Sequence, residues 1–208
     1  MLTVALTGGF QTGKTTVLSM FEKCGARVLS ADWLVHRELE RNVVLARQIK
    51  KAFGPHVFKN GKINRPLLAQ HVFSDKKSLE KLNYLVHPYV KKEIISFFQK
   101  CHRRCRDSIV VVEVPLLFET GFEKFFDVTA VVFTKARITG ERLAKHRVFT
   151  LKDMKTRNAH QFPYGRKMAR CDYVIDNNAS LKDTFYQVKD FMAFLGPLKG
   201  LGLVRIRE

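Results

Sequence analysis

The chain has 208 residues, of which 46% are hydrophobic and 27% charged, a length and composition that indicate one globular domain and exclude a disordered or fibrous chain. Lysine and arginine outnumber aspartate and glutamate by 37 to 19, and the net charge of +18 favours anionic partners: nucleic acid, phosphorylated metabolites or an anionic membrane surface. No uncharged apolar stretch reaches about 18 residues, so we expect no transmembrane helix. The N-terminus has no basic region or small-residue cleavage site, which argues against a signal peptide, and the four cysteines are expected to be reduced.

The first third of the chain predicts two strands, each followed by helix. Residues 2–7 are an apolar run typical of a buried strand. Apolar residues at helical spacing predict a helix over 14–24, with Gly25 at its C-terminal cap. Residues 26–29 predict a second short strand, after which the pattern is helical and amphipathic to about Phe53.

The middle of the chain predicts helices and no strand longer than a few residues. Asn64 and Pro66 open a helix that should run to residue 73. Ser74 is expected to cap the next helix, and the dipeptide His87-Pro88 is expected to break it. A further helix should carry the apolar residues up to Cys101.

Strands return in the last half of the chain. Residues 109–114 and 128–133 are nearly continuous apolar runs, the pattern of parallel strands covered on both faces. Helix is predicted over 135–147, a short strand over 172–175, and a last helix up to Leu195 that begins with a capping box of Ser180 and Asp183. This order predicts a three-layer α/β domain with a parallel sheet of about five strands.

One motif carries the chemistry. Residues 8–15 read GGFQTGKT and match G-x-x-x-x-G-K-[ST], between a predicted strand and a predicted helix. In such a phosphate loop the glycines let backbone N–H groups converge on phosphate oxygens, and the helix adds its N-terminal dipole. Lys14 can reach the β- and γ-phosphates, and the Thr15 hydroxyl can bind Mg²⁺. The motif therefore indicates a nucleotide site, but it does not say which reaction follows.

Further segments, in this order and at these spacings, resemble the dephospho-CoA kinases, the P-loop enzymes of the last step of coenzyme A synthesis. The resemblance runs from Leu6 to about Val188. The segments are LTGGFQTGKTTV (6–17), SAD (30–32), GKINRPLLAQHVF (61–73), HP (87–88), VPLLFETG (114–121), ERLAKHR (141–147), Arg157 with Gln161, and CDYVIDN (171–177).

The resemblance implies a P-loop kinase fold with three parts: a core of residues 1–32, 106–139 and 169–208, a helical substrate-binding insertion of residues 33–105, and a lid of residues 140–168. It implies that ATP, with Mg²⁺, phosphorylates the ribose 3′-hydroxyl of dephospho-CoA to give coenzyme A and ADP. A cytoplasmic enzyme is expected, with small-molecule substrates, no specific nucleic acid and no membrane. Neither the sequence nor the resemblance indicates an oligomeric state.

The resemblance also implies roles for individual residues. Asp32, Lys14 and Arg147 are the expected catalytic residues, with Asp32 facing the 3′-hydroxyl. ATP is expected to contact Gly8, Gln11, Thr12, Gly13, Lys14, Thr15, Thr16 and Arg142. Dephospho-CoA is expected to contact Asp32, His87, Pro115 and Leu116. Thr15 and, through water, Glu113 are expected to hold Mg²⁺.

Plain structural roles remain open for several of these residues. Asp32 could be a helix cap, His87 a helix stop, and Glu113 a charge at a strand end that faces solvent. The basic stretch 135–170 could be a pair of solvated helices instead of a lid whose arginines close over the triphosphate. Cys101, His102 and Cys105 lack a second half with metal-ligand spacing, which favours ordinary thiols over a zinc site.

Two other functions also remain open. One is a kinase of another small hydroxyl substrate, such as a nucleoside monophosphate. The other is a basic nucleic-acid-binding P-loop ATPase, which the charge of +18 favours. Against the second, the basic residues are scattered along the chain and the sequence carries no nucleic-acid-binding signature.

Overall fold

The apolar runs of the sequence form a parallel sheet in the computed structural model, which describes residues 1–73, 75–146, 158–159 and 161–200. The five strands of this sheet are β1 (Leu2–Gly8), β2 (Arg27–Ser30), β5 (Ile109–Glu113), β6 (Val128–Phe133) and β7 (Tyr173–Asp176). Their order is β2-β5-β1-β6-β7, and every neighbouring pair is parallel, which confirms the predicted sheet. All residues of β1 and β5 are buried, as expected for strands covered on both faces. Two short strands, β3 (Phe58–Lys59) and β4 (Lys62–Ile63), form a separate antiparallel pair.

Eight helices are described in the chain segments given above. They are α1 (Lys14–Lys23), α2 (Ala31–Arg41), α3 (Val43–Phe53), α4 (Arg65–Phe73), α5 (Lys76–Arg104), α6 (Ala136–His146), α7 (Tyr164–Met168) and α8 (Leu181–Leu195). Short 3₁₀ turns cover Pro55–Val57, Phe122–Phe125 and Pro197–Gly200. Among the residues that the structure describes, no helix combines the length and apolar character needed to cross a membrane.

The chain divides into two compact units, and the sheet lies in the first, which consists of Met1–Ser30 and Phe98–Glu208. Its core lies between β1, β5 and β6 and the helices α1 and α8. Phe191 of α8 meets Phe21 of α1 edge-on, with ring centroids 6.1 Å apart, and stacks on Tyr173 of β7 at 4.1 Å. This packing holds α1, and with it the phosphate loop, against the sheet.

The second unit, Ala31–Phe97, is helical apart from the β3-β4 pair. Its buried side chains include Leu45 and Ile49 of α3, Val57 of the 3₁₀ turn and Leu68 of α4. Phe53 at the end of α3 packs edge-on against His71 of α4. These contacts pack α3 and α4 around the 3₁₀ turn.

The predicted helix break at His87-Pro88 is wrong, because α5 runs through Pro88 without interruption. Proline removes one backbone donor, which leaves the carbonyl of the residue four positions earlier without its helical partner. That residue is Tyr84, which is 80% exposed, so water can satisfy its carbonyl. Pro88 is itself exposed, and the helix therefore tolerates it.

The helix predicted up to Phe53 is two helices. Asn42 interrupts it, and its side chain accepts a hydrogen bond from the backbone N–H of Leu45 to cap α3. The capping box of Ser180 and Asp183 at the start of α8 is confirmed. Ser74, the predicted cap of the helix that follows it, lies outside the described residues.

Candidate nucleotide-binding site

The phosphate loop joins β1 to α1, and its glycines lie where a side chain would not fit. Gly13 has a φ of 87°, and a Cβ there would lie 2.4 Å from Nδ2 of Asn177. A Cβ at Gly8 would lie 2.6 Å from the carbonyl oxygen of Val132. Gln11 also has a positive φ, of 61°. The motif glycines thus give the loop a backbone path that passes very close to the neighbouring strands and turns.

The loop ends at the N-terminus of α1, where backbone N–H groups lack helical partners. Gly13 at the N-cap has no side chain to accept from them, and the first turn carries no acidic residue. The Lys14 side chain is buried, and its Nζ donates to the carbonyl oxygen of Gly9 at 2.8 Å. Thr15 and Thr16 are exposed in the first turn. A lysine and a bare helix N-terminus at the same loop form a site for an anion such as phosphate.

A buried polar network supports the loop from behind. Asn177, 2% exposed, donates through Nδ2 to the carbonyl oxygen of Thr12 at 2.8 Å. The same carbonyl accepts from the hydroxyl of Thr134 at 3.0 Å, and Thr184 donates to Oδ1 of Asn177 at 2.9 Å. Arg142 donates through Nη2 to the Asn177 carbonyl oxygen at 2.8 Å. The predicted ATP ligands Thr12, Gly13 and Arg142 therefore lie together around one asparagine.

Sequence reasoning missed the asparagine at the centre of this network, although a signal was available. Asn177 lies in the CDYVIDN segment, directly after β7 and at the same sheet edge as the phosphate loop. A polar residue that follows a strand at that edge of an open α/β sheet is a candidate for the ligand site. The segment supported the family resemblance, but no role was given to this residue.

The two predicted metal ligands also lie close together. Glu113 ends β5 and is 4% exposed, and the Thr15 hydroxyl lies 3.5 Å from its Oε2. A hydroxyl and a carboxylate oxygen at this spacing form an oxygen-rich donor set of the kind that Mg²⁺ prefers, with water completing the coordination. The residues present thus fit the metal expected from the sequence. Glu113 is buried, in contrast to the solvent-facing alternative.

The turn after β5 carries the predicted substrate contacts Pro115 and Leu116, which are both half-buried. The Pro115 carbonyl oxygen accepts from the Thr7 hydroxyl at 3.3 Å and from Nζ of Lys167 at 3.2 Å. Lys167 is 1% exposed and forms an ion pair with Glu119, with 3.0 Å between Nζ and Oε1. Burial lowers the pKa of the Lys167 amino group, while the Glu119 carboxylate acts in the opposite direction.

Tyr164, also in α7, covers the loop at Gly9. A Cβ at Gly9 would lie 2.5 Å from the Tyr164 hydroxyl, and the tyrosine ring meets Phe133 edge-on at 5.3 Å. Burial raises the pKa of this hydroxyl, which keeps it protonated at neutral pH. A cavity of about 190 Å³ opens beside it, lined by Gly9, Asn158, Gln161, Phe162, Pro163, Tyr164 and Lys167.

Asp32 belongs to the second unit, where it lies in the exposed first turn of α2 and not at the cap position before it. His36 follows one turn later, and its Nε2 lies 2.6 Å from Nη2 of Arg65. Burial first, and then the positive charge of Arg65, lowers the pKa of His36, while Asp32 raises it. Arg37 is held by Glu93 and Glu38. Arg65 therefore contacts His36 at this end of α2, whereas Arg37 is engaged by the two glutamates.

His87 lies inside α5 in the second unit, half-buried, and burial lowers the pKa of its imidazole. The predicted catalytic residue Arg147, together with Arg157, lies outside the described residues. Of the predicted site residues, the first unit therefore brings together the phosphate loop, Arg142, Glu113 and the turn at Pro115.

The sheet order, the phosphate loop and the oxygen pair of Thr15 and Glu113 define a P-loop nucleotide-binding protein of the kinase type. The model of the dephospho-CoA kinase family matches residues 2–183. A dephospho-CoA kinase from Geobacillus kaustophilus is 35% identical over 188 residues, which cover 90% of this chain and 93% of that protein. The chain belongs to the dephospho-CoA kinase family.

Solved structures agree in fold. A crystal structure of a protein from Thermus thermophilus is 28% identical, with a TM-score of 0.79 and coverage of 93% of this chain and 97% of that one. A dephospho-CoA kinase from Campylobacter jejuni superposes with a TM-score of 0.61 at 23% identity, covering 93% of this chain and 96% of that one. The three-layer P-loop kinase fold expected from the sequence is confirmed.

Proposed function

We propose that this protein transfers the γ-phosphate of ATP to the ribose 3′-hydroxyl of dephospho-CoA, which gives coenzyme A and ADP. The observation that carries the proposal is the phosphate loop, with Lys14 buried in it, in a chain that matches the dephospho-CoA kinase family over residues 2–183. ATP, the phosphate donor, is abundant in the cytoplasm. We therefore propose that the reaction takes place in the cytoplasm.

ATP binds with its phosphates on the loop. The N–H groups at the start of α1 donate to the β- and γ-phosphate oxygens. The Lys14 amino group, which donates to the Gly9 carbonyl in the structure, turns to the same oxygens. Gly8, Gln11, Thr12, Gly13 and Thr16 form the rest of the loop contact, and Arg142 binds the flank of the nucleotide beside Asn177.

Thr15 and Glu113 would hold Mg²⁺, Thr15 directly and Glu113 through water. The metal would supply positive charge that offsets the negative charge developing on the transferring phosphoryl group. The spacing of 3.5 Å between their oxygens and the burial of Glu113 support this role. The chain's contribution here is to hold two oxygen donors at fixed positions beside the loop.

Asp32 accepts or orients the proton of the attacking hydroxyl, and His87, Pro115 and Leu116 contact the acceptor. Asp32 suits this task because its carboxylate is exposed in the first turn of α2. Arg147 stabilises charge on the phosphoryl group in the transition state, where a guanidinium spreads its donors over several oxygens. The catalysis is positioning and charge neutralisation, without a covalent enzyme intermediate.

An ADP-release assay with a panel of acceptors tests the function. Dephospho-CoA should support turnover, while nucleosides, nucleoside monophosphates and single-stranded RNA should not. Turnover with a nucleoside monophosphate alone would favour a kinase of another small substrate. ADP release that depends on RNA would favour the nucleic-acid-binding ATPase, which otherwise has only the charge of +18 in its support.

Asp32→Asn tests the role of the carboxylate, because it keeps the shape and removes the proton acceptor. We expect kcat to fall by about 100- to 10,000-fold, while the KM for ATP changes little. Asp75→Asn is the matched control: Asp75 is also an exposed aspartate of the second unit, and it caps the start of α5 by accepting from the N–H of Ser78. An Asp32→Asn variant with normal kcat and reduced stability would make Asp32 a structural residue of α2.

A further inference from the structure

A buried ion pair lies beside the loop and has no part in the proposed chemistry. Lys167 and Glu119 have side chains that are 1% and 10% exposed. A buried ammonium group is costly unless each of its donors has a partner. Lys167 meets this condition: its Nζ lies 3.0 Å from Oε1 of Glu119, 3.2 Å from the Pro115 carbonyl oxygen and 3.1 Å from Oε1 of Gln161. Its three donors therefore join two separate segments of the chain.

One of these segments is the turn that follows β5. Its first carbonyl, at Pro115, accepts from Lys167 on one side and from the Thr7 hydroxyl on the other. Thr7 is the residue before the phosphate loop, and Glu113, which lies 3.5 Å from Thr15, is two residues before Pro115. The β1–β5 ladder holds β5 up to the hydrogen bond from the Val114 N–H to the Leu6 carbonyl, and the Pro115 carbonyl extends this attachment into the turn that follows.

The other segment is α7, which also contacts the loop. Tyr164 covers Gly9, as the 2.5 Å distance from its hydroxyl to a Cβ built there indicates. Tyr164 and Lys167 are three residues apart and lie on neighbouring positions of one helical face. Glu119 also accepts from the backbone N–H of Phe162 at 2.6 Å, which fixes the approach to α7. The short helix thus bridges the phosphate loop and the β5 turn.

We propose that Lys167 is a positioning residue for phosphoryl transfer. It donates to the Pro115 carbonyl, and Glu119 balances its charge. In this way it holds the turn after Glu113 in a fixed position relative to the phosphate loop. The inference rests on the proposed function. Stability alone does not account for the ion pair, because a protein with two well-packed apolar residues in its place is often as stable as the original or more stable. A donor at this point instead controls geometry, and a displacement of about 1 Å at a reacting centre can cost about 100-fold in rate.

The test separates stability from geometry with three variants: Lys167→Met, Glu119→Gln and the double variant. Lys167→Met leaves the Glu119 carboxylate buried without its partner, so urea unfolding should show a clear loss of stability. The double variant removes both charges and keeps an amide oxygen for the Phe162 N–H, so most of that stability should return. Its kcat with ATP and dephospho-CoA should nevertheless stay about tenfold or more below wild type. Its KM for ATP should stay within about threefold of the wild-type value, because no loop contact is removed.

The Glu119→Gln variant gives a second, independent reading. It keeps the donation from Lys167 to Pro115, so its kcat should remain near wild type even where its stability falls. Arg170→Met is the matched control, since Arg170 pairs with Glu123 next to the same segment but is 40% exposed. That variant should change neither kcat nor the KM for ATP.

Two results would overturn the inference. One is a double variant that regains wild-type kcat together with its stability, because the pair would then be structural only. The other is a Glu119→Gln variant that loses as much kcat as Lys167→Met, and this result decides the matter even if the double variant does not fold. A wild-type protein that phosphorylates no acceptor would overturn the proposed function and this inference together, so the two failures are distinguishable.

Discussion

Gly13→Ala tests whether the conformation of the phosphate loop depends on the buried network behind it. Gly13 has a left-handed backbone, with a φ of 87°, which costs an alanine about 1–2 kcal/mol. Its new Cβ would also lie 2.4 Å from Nδ2 of Asn177, too close for both atoms to stay in place. Displacing Asn177 weakens its hydrogen bond to the Thr12 carbonyl. The net cost is only about 1 kcal/mol, because the same carbonyl still accepts from the Thr134 hydroxyl. Overpacking at the buried site adds about 1–3 kcal/mol.

The free energy of unfolding should therefore fall by about 3–6 kcal/mol in Gly13→Ala. Gly25→Ala is the matched control, since Gly25 has a φ of 89°, but a Cβ there would have no atom of the described residues within 4 Å apart from its chain neighbours. It should lose only the backbone cost of about 1–2 kcal/mol. The difference between the two variants measures the contact with Asn177.

Both variants are measured by urea unfolding and by steady-state kinetics, which give the free energy of unfolding and the KM for ATP. Because Asn177 lies against the loop and against Arg142, the KM for ATP should rise about tenfold or more in Gly13→Ala, equivalent to about 1.4 kcal/mol, and stay unchanged in Gly25→Ala. Equal losses of stability in the two variants, with no change in the KM for ATP in either, would refute the reasoning.

Lys14, Glu113 and His87 each carry a further prediction. Lys14→Ala should abolish turnover while circular dichroism shows an intact fold, since Lys14 lies in the anion site; near-wild-type kinase rates would contradict its role. Glu113→Gln, which keeps the acceptor for the Thr15 hydroxyl, should raise the half-saturating Mg²⁺ concentration about tenfold or more, and an unchanged Mg²⁺ titration would remove Glu113 from the metal site. Burial holds the pKa of His87 below its ordinary value of about 6.5. As the pH drops, the unfolded chain therefore takes up this proton before the folded chain does. The free energy of unfolding should accordingly fall below about pH 6.5. In urea unfolding at a series of pH values, His87→Gln should reduce this dependence of the free energy of unfolding on pH. The part contributed by His36, whose pKa is also lowered, should remain. A pH dependence identical to that of the wild type would show that His87 does not contribute.

Local patterns were enough to predict the phosphate loop, the strands and the ends of several helices. The loop motif needs only eight consecutive residues, because the glycines, Lys14 and Thr15 act through backbone geometry that is local. The capping box of Ser180 and Asp183 is likewise a contact between residues three apart. The apolar run of β1 predicted a buried strand and that of β5 a strand covered on both faces, and the structure confirms both predictions.

Where local chemistry depends on surroundings, the sequence was misleading. Pro88 usually ends a helix, yet α5 continues because the carbonyl that it deprives of a partner lies at the exposed residue Tyr84. The stretch up to Phe53 has one continuous amphipathic pattern, but Asn42 competes for the backbone and starts a new helix. Exposure of a carbonyl and the choice of a cap both depend on packing that a periodic pattern does not encode.

The sequence by itself determined the features whose partners are close in the chain: the phosphate loop, the helix that follows it and the order of strands and helices that predicts the α/β domain. Tertiary structure alone decided which distant groups support that loop. Asn177 reaches Thr12 across 165 residues, and Lys167 reaches Pro115 across 52. Such pairs leave no spacing signal, because it is the sheet order that brings their segments together and burial that makes an unpaired polar group too costly to leave alone.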